Sequence, residues 1–204
     1  MMTTETPATV QMLNLQLPTD PRWVNLAEMD LEEILTDHAY CEQKATTSCI
    51  SLVQGYPDYP GLVEAVAPVV TEEWGHFRMV LRELDRRGLK LGRQRKDEYV
   101  GGLLKFLQKG GGREKSLMDK LLLCALIEAR SCERFRLLSL YCADAELRQF
   151  YHKFMVAEAG HYVLFIDLAR KYFDRATVDT RWAEWLAYEK DLLATMEVRG
   201  DRMH

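Results

Sequence analysis

Glu73-Trp74-Gly75-His76 and Glu158-Ala159-Gly160-His161 are the two stretches from which the rest of the chain can be read. In each, a carboxylate and an imidazole stand three residues apart, so on an α-helix both side chains leave from one face. A single glutamate precedes each pair at nearly the same distance: Glu42 lies 31 residues before Glu73, and Glu128 lies 30 before Glu158. From half to half the offsets are 86 for the lone Glu, 85 for the paired Glu and 85 for the His. Such regularity marks an internal repeat. A Glu from each of two helices, joined by a Glu-x-x-His pair from each of two others, is the donor set of a carboxylate-bridged two-metal site inside a helical bundle.

Working outward, the apolar period around these residues is helical throughout. A first long helix is expected from about Glu28 to Gln54, with Leu31, Leu35, His38, Glu42, Ala45, Cys49 and Leu52 on one stripe. Turn chemistry at Gly55-Tyr56-Pro57-Asp58-Tyr59-Pro60-Gly61 ends it. A second helix carries Leu62, Val66, Val69, Glu73, His76, Val80 and Leu84, and Pro68 inside it should kink or loosen one turn. From Leu89 to Lys115 the period fades into a glycine-punctuated crossover, with a short helix expected around Leu103 to Gln108. Ser116 looks like an N-cap with an acidic residue, Asp119, three on, opening a third helix that reaches about Cys142, and Asp144 caps a fourth. A last amphipathic helix over residues 178–199 should pack outside the bundle, and the tail after Arg199 should fray. Residues 1–27, with Pro18 and Pro21, read as an extended segment. The expected fold is all-α: a ferritin-like four-helix bundle of two repeated helix pairs, a long crossover and an extra C-terminal helix, as a single domain over residues 1–204.

At 204 residues, 48% hydrophobic and 28% charged, the composition is that of a globular chain able to bury a core without staples. No secretory or transmembrane stretch is evident, and the five cysteines (Cys41, Cys49, Cys124, Cys132, Cys142) form no Cys-x-x-Cys pair. They read as small buried thiols of a reducing compartment, so the expected location is cytoplasmic. The net charge of −4 is unevenly spread: Arg78 to Lys120 holds 13 Lys/Arg against 6 Asp/Glu, a local +7. That asymmetry fits either a polyanionic partner or a solvated helix face with a basic linker.

Four carboxylates on core-facing stripes are intolerable together if ionised and unpaired. Two bound cations remove the problem, with bridging carboxylates holding them about 3.5–4 Å apart. The oxygen-rich, imidazole-bearing set suits iron or manganese better than zinc. Glu73 and Glu158 are assigned as bridging, Glu42 with His76 to one metal, and Glu128 with His161 to the other. Periodicity alone does not choose between Glu128 and Glu133; the repeat favours Glu128. Glu72 sits beside Glu73 but does not reproduce the repeated motif. His38 is either an outer contact of the site or a core histidine. The glycine before each His (Gly75, Gly160) suggests close packing there, since Gly costs about 1 kcal/mol in a helix interior.

Such a centre serves oxygen-dependent oxidation, iron storage, peroxide removal or radical generation, and fold and ligands do not separate these. The stretches Leu35-Thr36-Asp37-His38-Ala39-Tyr40-Cys41-Glu42-Gln43-Lys44-Ala45, Glu72-Glu73-Trp74-Gly75-His76-Phe77, Leu126-Ile127-Glu128-Ala129-Arg130-Ser131-Cys132-Glu133-Arg134-Phe135 and Glu158-Ala159-Gly160-His161-Tyr162 carry more. They resemble the bacterial tRNA-(2-methylthio-N6-isopentenyladenosine) hydroxylase family, MiaE, from about Glu28 to Arg199, with no departure at the six presumed ligands. The resemblance implies a non-haem di-iron monooxygenase with two Fe ions. It would hydroxylate the isopentenyl group of the modified adenosine next to the anticodon of tRNA, using O2 and two electrons from a reductase or ferredoxin-type protein. The basic segment then supplies phosphate contacts, with Arg86, Arg87, Lys90, Arg93, Arg95, Lys96, Lys105, Lys109 and Arg113 as candidates. Trp74, Phe77, Phe135, Phe154 and Phe165 are available to a prenyl slot or simply to the core. The competing readings are another ferritin-like di-iron oxidase and an iron-storage or detoxification protein. The local positive charge favours tRNA over storage.

Overall fold

In a computed structural model of the chain, residues 13–110 and 112–204 are described. In chain order the helices are α1 (Trp23–Ala27), α2 (Leu31–Gly55), α3 (Leu62–Arg86), α4 (Glu98–Leu103, running into a 3-10 turn at Leu104–Phe106), α5 (Gly112–Tyr141), α6 (Ala145–Tyr172) and α7 (Arg175–Ala194). No strand occurs among the described residues. Connections of six residues (56–61) and three residues (142–144) make hairpins of α2 with α3 and of α5 with α6. The two hairpins form the bundle, with α3 against α6 and α2 against α5.

The helix starts are written locally. The Asp30 carboxylate accepts from the Glu33 amide (3.1 Å), Asp144 from Glu146 (2.8 Å), and Asp174 from Thr177 (2.9 Å). Each satisfies an amide that the helix itself leaves free. α3 instead enters through Gly61 at φ 75°, and runs unbroken through Pro68.

What positions the site is the division of the core. One apolar cluster holds Cys49, Leu52, Val66, Val69, Leu121, Ala125 and Phe165. A second holds Ile34, Leu35, Val80, Leu84, Phe135, Tyr151 and Phe154. Where the two groups meet, every bundle helix turns polar side chains inward: Glu42, Glu73 with His76, Glu128, and Glu158 with His161. The repeat therefore builds one polar layer between two dry ones. α7 lies outside against α5, where Val178, Trp182, Trp185 and Leu186 join the first cluster.

Several expectations need correction. Residues 1–12 lie outside the described residues, but the rest of the supposedly extended segment contains α1, which follows a turn at Pro21-Arg22. The crossover helix falls at Glu98–Leu103, because the Asp97 side chain caps it by accepting from Val100 (2.9 Å). α5 starts at Gly112, so Ser116 lies inside the helix and is no cap, and Asp119, three on, is buried and accepts from Arg181 Nε (2.8 Å) and Nη2 (3.0 Å). The last helix spans Arg175–Ala194 rather than 178–199.

The tail does not fray. Trp23 Nε1 donates to the Arg199 carbonyl (2.8 Å), Arg95 pairs with Asp201 (2.7 Å), and the Met203 amide donates to Asp37 (2.7 Å). Met203 is fully buried. Gly200 permits this docking, since a Cβ there would lie 2.3 Å from the Leu26 carbonyl group.

Candidate metal centre

All six sequence-assigned donors converge. Glu42, Glu73, His76 and Glu158 each offer one atom to a group whose members lie within 4.8 Å of one another, and so do Glu73, Glu128, Glu158 and His161. Glu73 and Glu158 belong to both groups, which is the geometry of two ions sharing two carboxylates. The four carboxylates are 1–4% exposed.

The donors face a common space rather than each other. His161 Nδ1 stands 2.7 Å from Glu73 Oε1 and 3.6 Å from Glu158 Oε2. His76 Nδ1 stands 3.4 Å from Glu42 Oε2, 3.7 Å from Glu73 Oε2 and 3.8 Å from Glu158 Oε1. Yet His76 Nδ1, His161 Nδ1, Glu73 Oε1 and Glu158 Oε1 are buried without a properly directed hydrogen bond. Orphaned buried polar atoms are rare and costly, about 1–3 kcal/mol each. An ion with bonds of ~2.1 Å sets neighbouring donors about 3 Å apart, so cations are what this arrangement accommodates.

Two further side chains touch the set. His38 Nε2 meets Glu42 Oε1 at 2.7 Å, one turn along the same helix. Burial holds the His38 imidazole well below its ordinary pKa, so the neutral ring donates to the carboxylate. The outer nitrogen of His161, Nε2, donates to Glu72 Oε2 at 2.8 Å, which leaves Nδ1 to face the centre. The His38 contact was available from the i, i+4 spacing. The Glu72 contact joins α3 to α6, and no local signal announces it.

Without ions, burial pushes Glu42 and Glu128 far above the usual carboxylate range, and the neighbouring acids add to it. For Glu73 burial acts the same way, but the close His161 and His76 imidazoles outweigh it and hold the group at about 2. Burial would lower both imidazoles; contacts with Glu42 and Glu73 bring His76 up to about 10, and those with Glu158 and Glu73 bring His161 up to about 11. Protons thus stand in for metal charge.

Other assignments separate here. Glu133 turns away from the centre to Arg130 and to Thr19, whose amide and hydroxyl donate to it at 2.7 and 2.8 Å. The packing expected at the repeated glycines is absent: a Cβ on Gly75 or Gly160 would meet nothing within 4 Å. Phe135, Phe154 and Phe165 are core, whereas Trp74 is 45% exposed and stacks on Phe77 (4.8 Å). An apolar cleft of about 50 Å³ reaches Glu128 between α2 and α5, lined by Ala45, Cys49, Val100, Cys124 and Ile127.

Of the nine basic candidates, four are engaged within the chain. Arg86 pairs with Glu83 and Glu146, Arg87 with Glu83 and Asp144, Arg95 with Asp201 and Glu33, and Arg113 with Asp58. Lys90, Arg93, Lys96, Lys105 and Lys109 are exposed and make no ion pair with another described residue. No described helix is long and apolar enough to cross a membrane.

Comparison with known proteins agrees with this architecture. A solved structure titled protein 43 with aldehyde deformylating oxygenase activity, from Synechococcus, superposes with a TM-score of 0.87 at 33% identity, over 93% of this chain and 94% of that one. A Pseudomonas putida protein named tRNA 2-(methylsulfanyl)-N(6)-isopentenyladenosine(37) hydroxylase is 37% identical over 164 residues, 80% of this chain and 78% of its own length. A Salmonella typhimurium protein of the same name is 27% identical, over 77% and 75% of the two chains. The family described as tRNA-(MS[2]IO[6]A)-hydroxylase (MiaE) matches residues 5–204. With the match spanning nearly its whole length, this chain belongs to the MiaE family of tRNA hydroxylases.

Proposed function

We propose that this chain is an O2-dependent tRNA hydroxylase acting on the isopentenyl group of 2-methylthio-N6-isopentenyladenosine next to the anticodon. The reaction converts a terminal methyl, one O2, two electrons and two protons into a hydroxymethyl group and water. The observation that carries the reading is the convergence of four buried carboxylates and two imidazoles with unsatisfied atoms, in a chain of this family. Glu42 with His76, and Glu128 with His161, would each hold one iron, and Glu73 and Glu158 would span the pair. Bound iron supplies the oxygen-activating redox chemistry that side chains lack.

The protein's own part is orientation and exclusion of water. His38 fixes the Glu42 carboxylate and Glu72 fixes the His161 ring. Phe154 of the second apolar cluster packs on the His76 ring, with centroids 4.9 Å apart. The apolar cleft at Glu128 is the natural approach for a prenyl chain, and must widen to admit one. The anticodon loop is single-stranded, so its modified base can be splayed toward the cleft without opening a duplex. Lys90, Arg93, Lys96, Lys105 and Lys109 are the phosphate contacts we favour, since the four paired arginines are already neutralised. A reductase or ferredoxin-type protein would deliver the electrons, and a tRNA substrate places the work in the cytoplasm.

Nucleoside analysis of tRNA from cells lacking the protein tests the reading. The non-hydroxylated prenyl adenosine should accumulate; an unchanged nucleoside profile rejects the function. Activity on an aldehyde alone would favour the second reading, an oxygenase like the Synechococcus protein. Neutralising the five free basic residues should weaken tRNA binding and lower its salt slope by about 3, with iron content intact. An unaltered slope removes them from the RNA surface.

A further inference from the structure

One cluster of donors is used neither by the bundle nor by the reaction. Cys41 on α2, Asp97 at the start of α4 and His204 in the docked tail bring a sulfur, a carboxylate oxygen and a ring nitrogen within 4.8 Å of one another. We propose that these three side chains form a second, mononuclear metal site of the zinc type, separate from the carboxylate centre and independent of the tRNA reading.

The donor chemistry differs from that of the main site in kind. A thiolate, an imidazole and a carboxylate are the mixed set that Zn2+ takes, with a fourth position open to water. Zn–S bonds of about 2.3 Å and Zn–N bonds of about 2.0 Å at a tetrahedral angle put sulfur and nitrogen about 3.6 Å apart. Cys41 Sγ and His204 Nδ1 are 3.7 Å apart.

The imidazole is also held as a ligand would be. Its Nε2 meets the Ser131 hydroxyl at 2.9 Å and its ring stacks on Tyr99 at 5.0 Å, which turns Nδ1 toward Cys41. An Nε2–H donating to Ser131 leaves the lone pair on Nδ1. Asp97 already accepts from the Val100 amide and pairs with Lys44, but a carboxylate has about four acceptor positions and can ligate while keeping both. A polar cleft of about 260 Å³ bordered by Asp97, Tyr99 and His204 brings water to the open position.

Such an ion would fasten the tail to α2 and α4. Cys41 and His204 also line the apolar cleft at Glu128, so it would fix one wall of that approach. The competing explanation is a bare thiol–imidazole hydrogen bond, which the same separation permits.

Cobalt distinguishes the two. The iron-loaded protein is titrated with Co2+ and read for the near-ultraviolet thiolate-to-cobalt charge-transfer band. The carboxylate centre has no sulfur and cannot give it. The expected result is a band saturating at about one equivalent, displaced by Zn2+, abolished in Cys41→Ser and weakened at least tenfold in affinity in His204→Ala and Asp97→Asn. Absence of the band from the unmodified protein, which requires no variant to fold, overturns the proposal. So does a band that persists in Cys41→Ser, which would place the ion on Cys49 or Cys124, or one indifferent to both other substitutions.

Discussion

Two buried charged clusters lie within one helical turn of each other on α5, and they solve the same problem in opposite ways. Arg130 itself is matched by carboxylates inside the protein. Its guanidinium donates from Nε and Nη2 to the two Glu189 oxygens (2.8 and 3.0 Å), from Nη1 to Glu133, and from Nη2 to the Leu17 carbonyl (2.9 Å). The Tyr99 hydroxyl completes Glu189 at 2.9 Å. Around Glu128 nothing of the kind is supplied: acids and imidazoles converge on a common space with no arginine or lysine among them, and four donor atoms have no directed partner. Burial alone therefore does not identify a ligand. A buried carboxylate next to an arginine is finished; one among other carboxylates is waiting for a cation.

The sharpest way to break this contrast is to remove Arg130. Arg130→Met strands Glu133 and Glu189 as uncompensated charges and should cost about 3–5 kcal/mol, read from the urea midpoint. Iron per folded chain should be unchanged, because the two networks share no side chain.

Next in size, the neighbouring glutamates should behave as opposites. Glu128→Gln replaces a group that burial already keeps protonated, so the metal-free protein should stay within about 1 kcal/mol of the parent. It should nevertheless lose tight binding of one ion, by more than the 10–100-fold typical of outer contacts. Glu133→Gln should keep both ions and lose about 1–3 kcal/mol of stability. Metal titration with parallel unfolding curves checks both, and equal behaviour would erase the distinction.

A pH series measures how far protons substitute for metal. In the metal-free chain His76, brought up to about 10, and His161, brought up to about 11, hold protons at neutral pH, and burial shifts Glu42 and Glu128 upward as well. Ions must displace these protons, so apparent iron affinity should rise with pH through neutrality and up toward 10. Proton release in a weakly buffered titration gives the count; uptake without release would contradict the scheme. The sign follows from competition, since a lower pH fills the same lone pairs.

The smallest effect concerns the glycines of the repeat. With open space where each Cβ would go, Gly75→Ala and Gly160→Ala should each stabilise the fold by about 0.5–1 kcal/mol, through helix propensity alone. Thermal unfolding of the metal-free protein shows this directly. A loss of stability would restore the packing role that the repeated motif suggested.

The sequence by itself determined the four long helices, the duplicated pairing of Glu with His, and the layer in which the six donors lie. Those follow from periodicity and from spacing along one helix, which are local quantities that tertiary contacts only reinforce. It also made His38 legible, one turn before Glu42. Periodicity left Glu128 and Glu133 level and the repeat favoured Glu128; the structure agrees and supplies the reason, since Glu133 is taken up by Arg130 one turn before it on α5 and by Thr19 from outside that helix. The tertiary structure alone decided that Asp119 answers Arg181 across 62 residues instead of standing in the first turn of a helix capped by Ser116. It set four of the nine basic candidates against acids from other segments or turns, and it laid the tail into a groove that hydropathy gives no reason to expect. The common reason is range: a charge shows its own burial tendency in the sequence, but its partner is chosen only when distant segments are brought together.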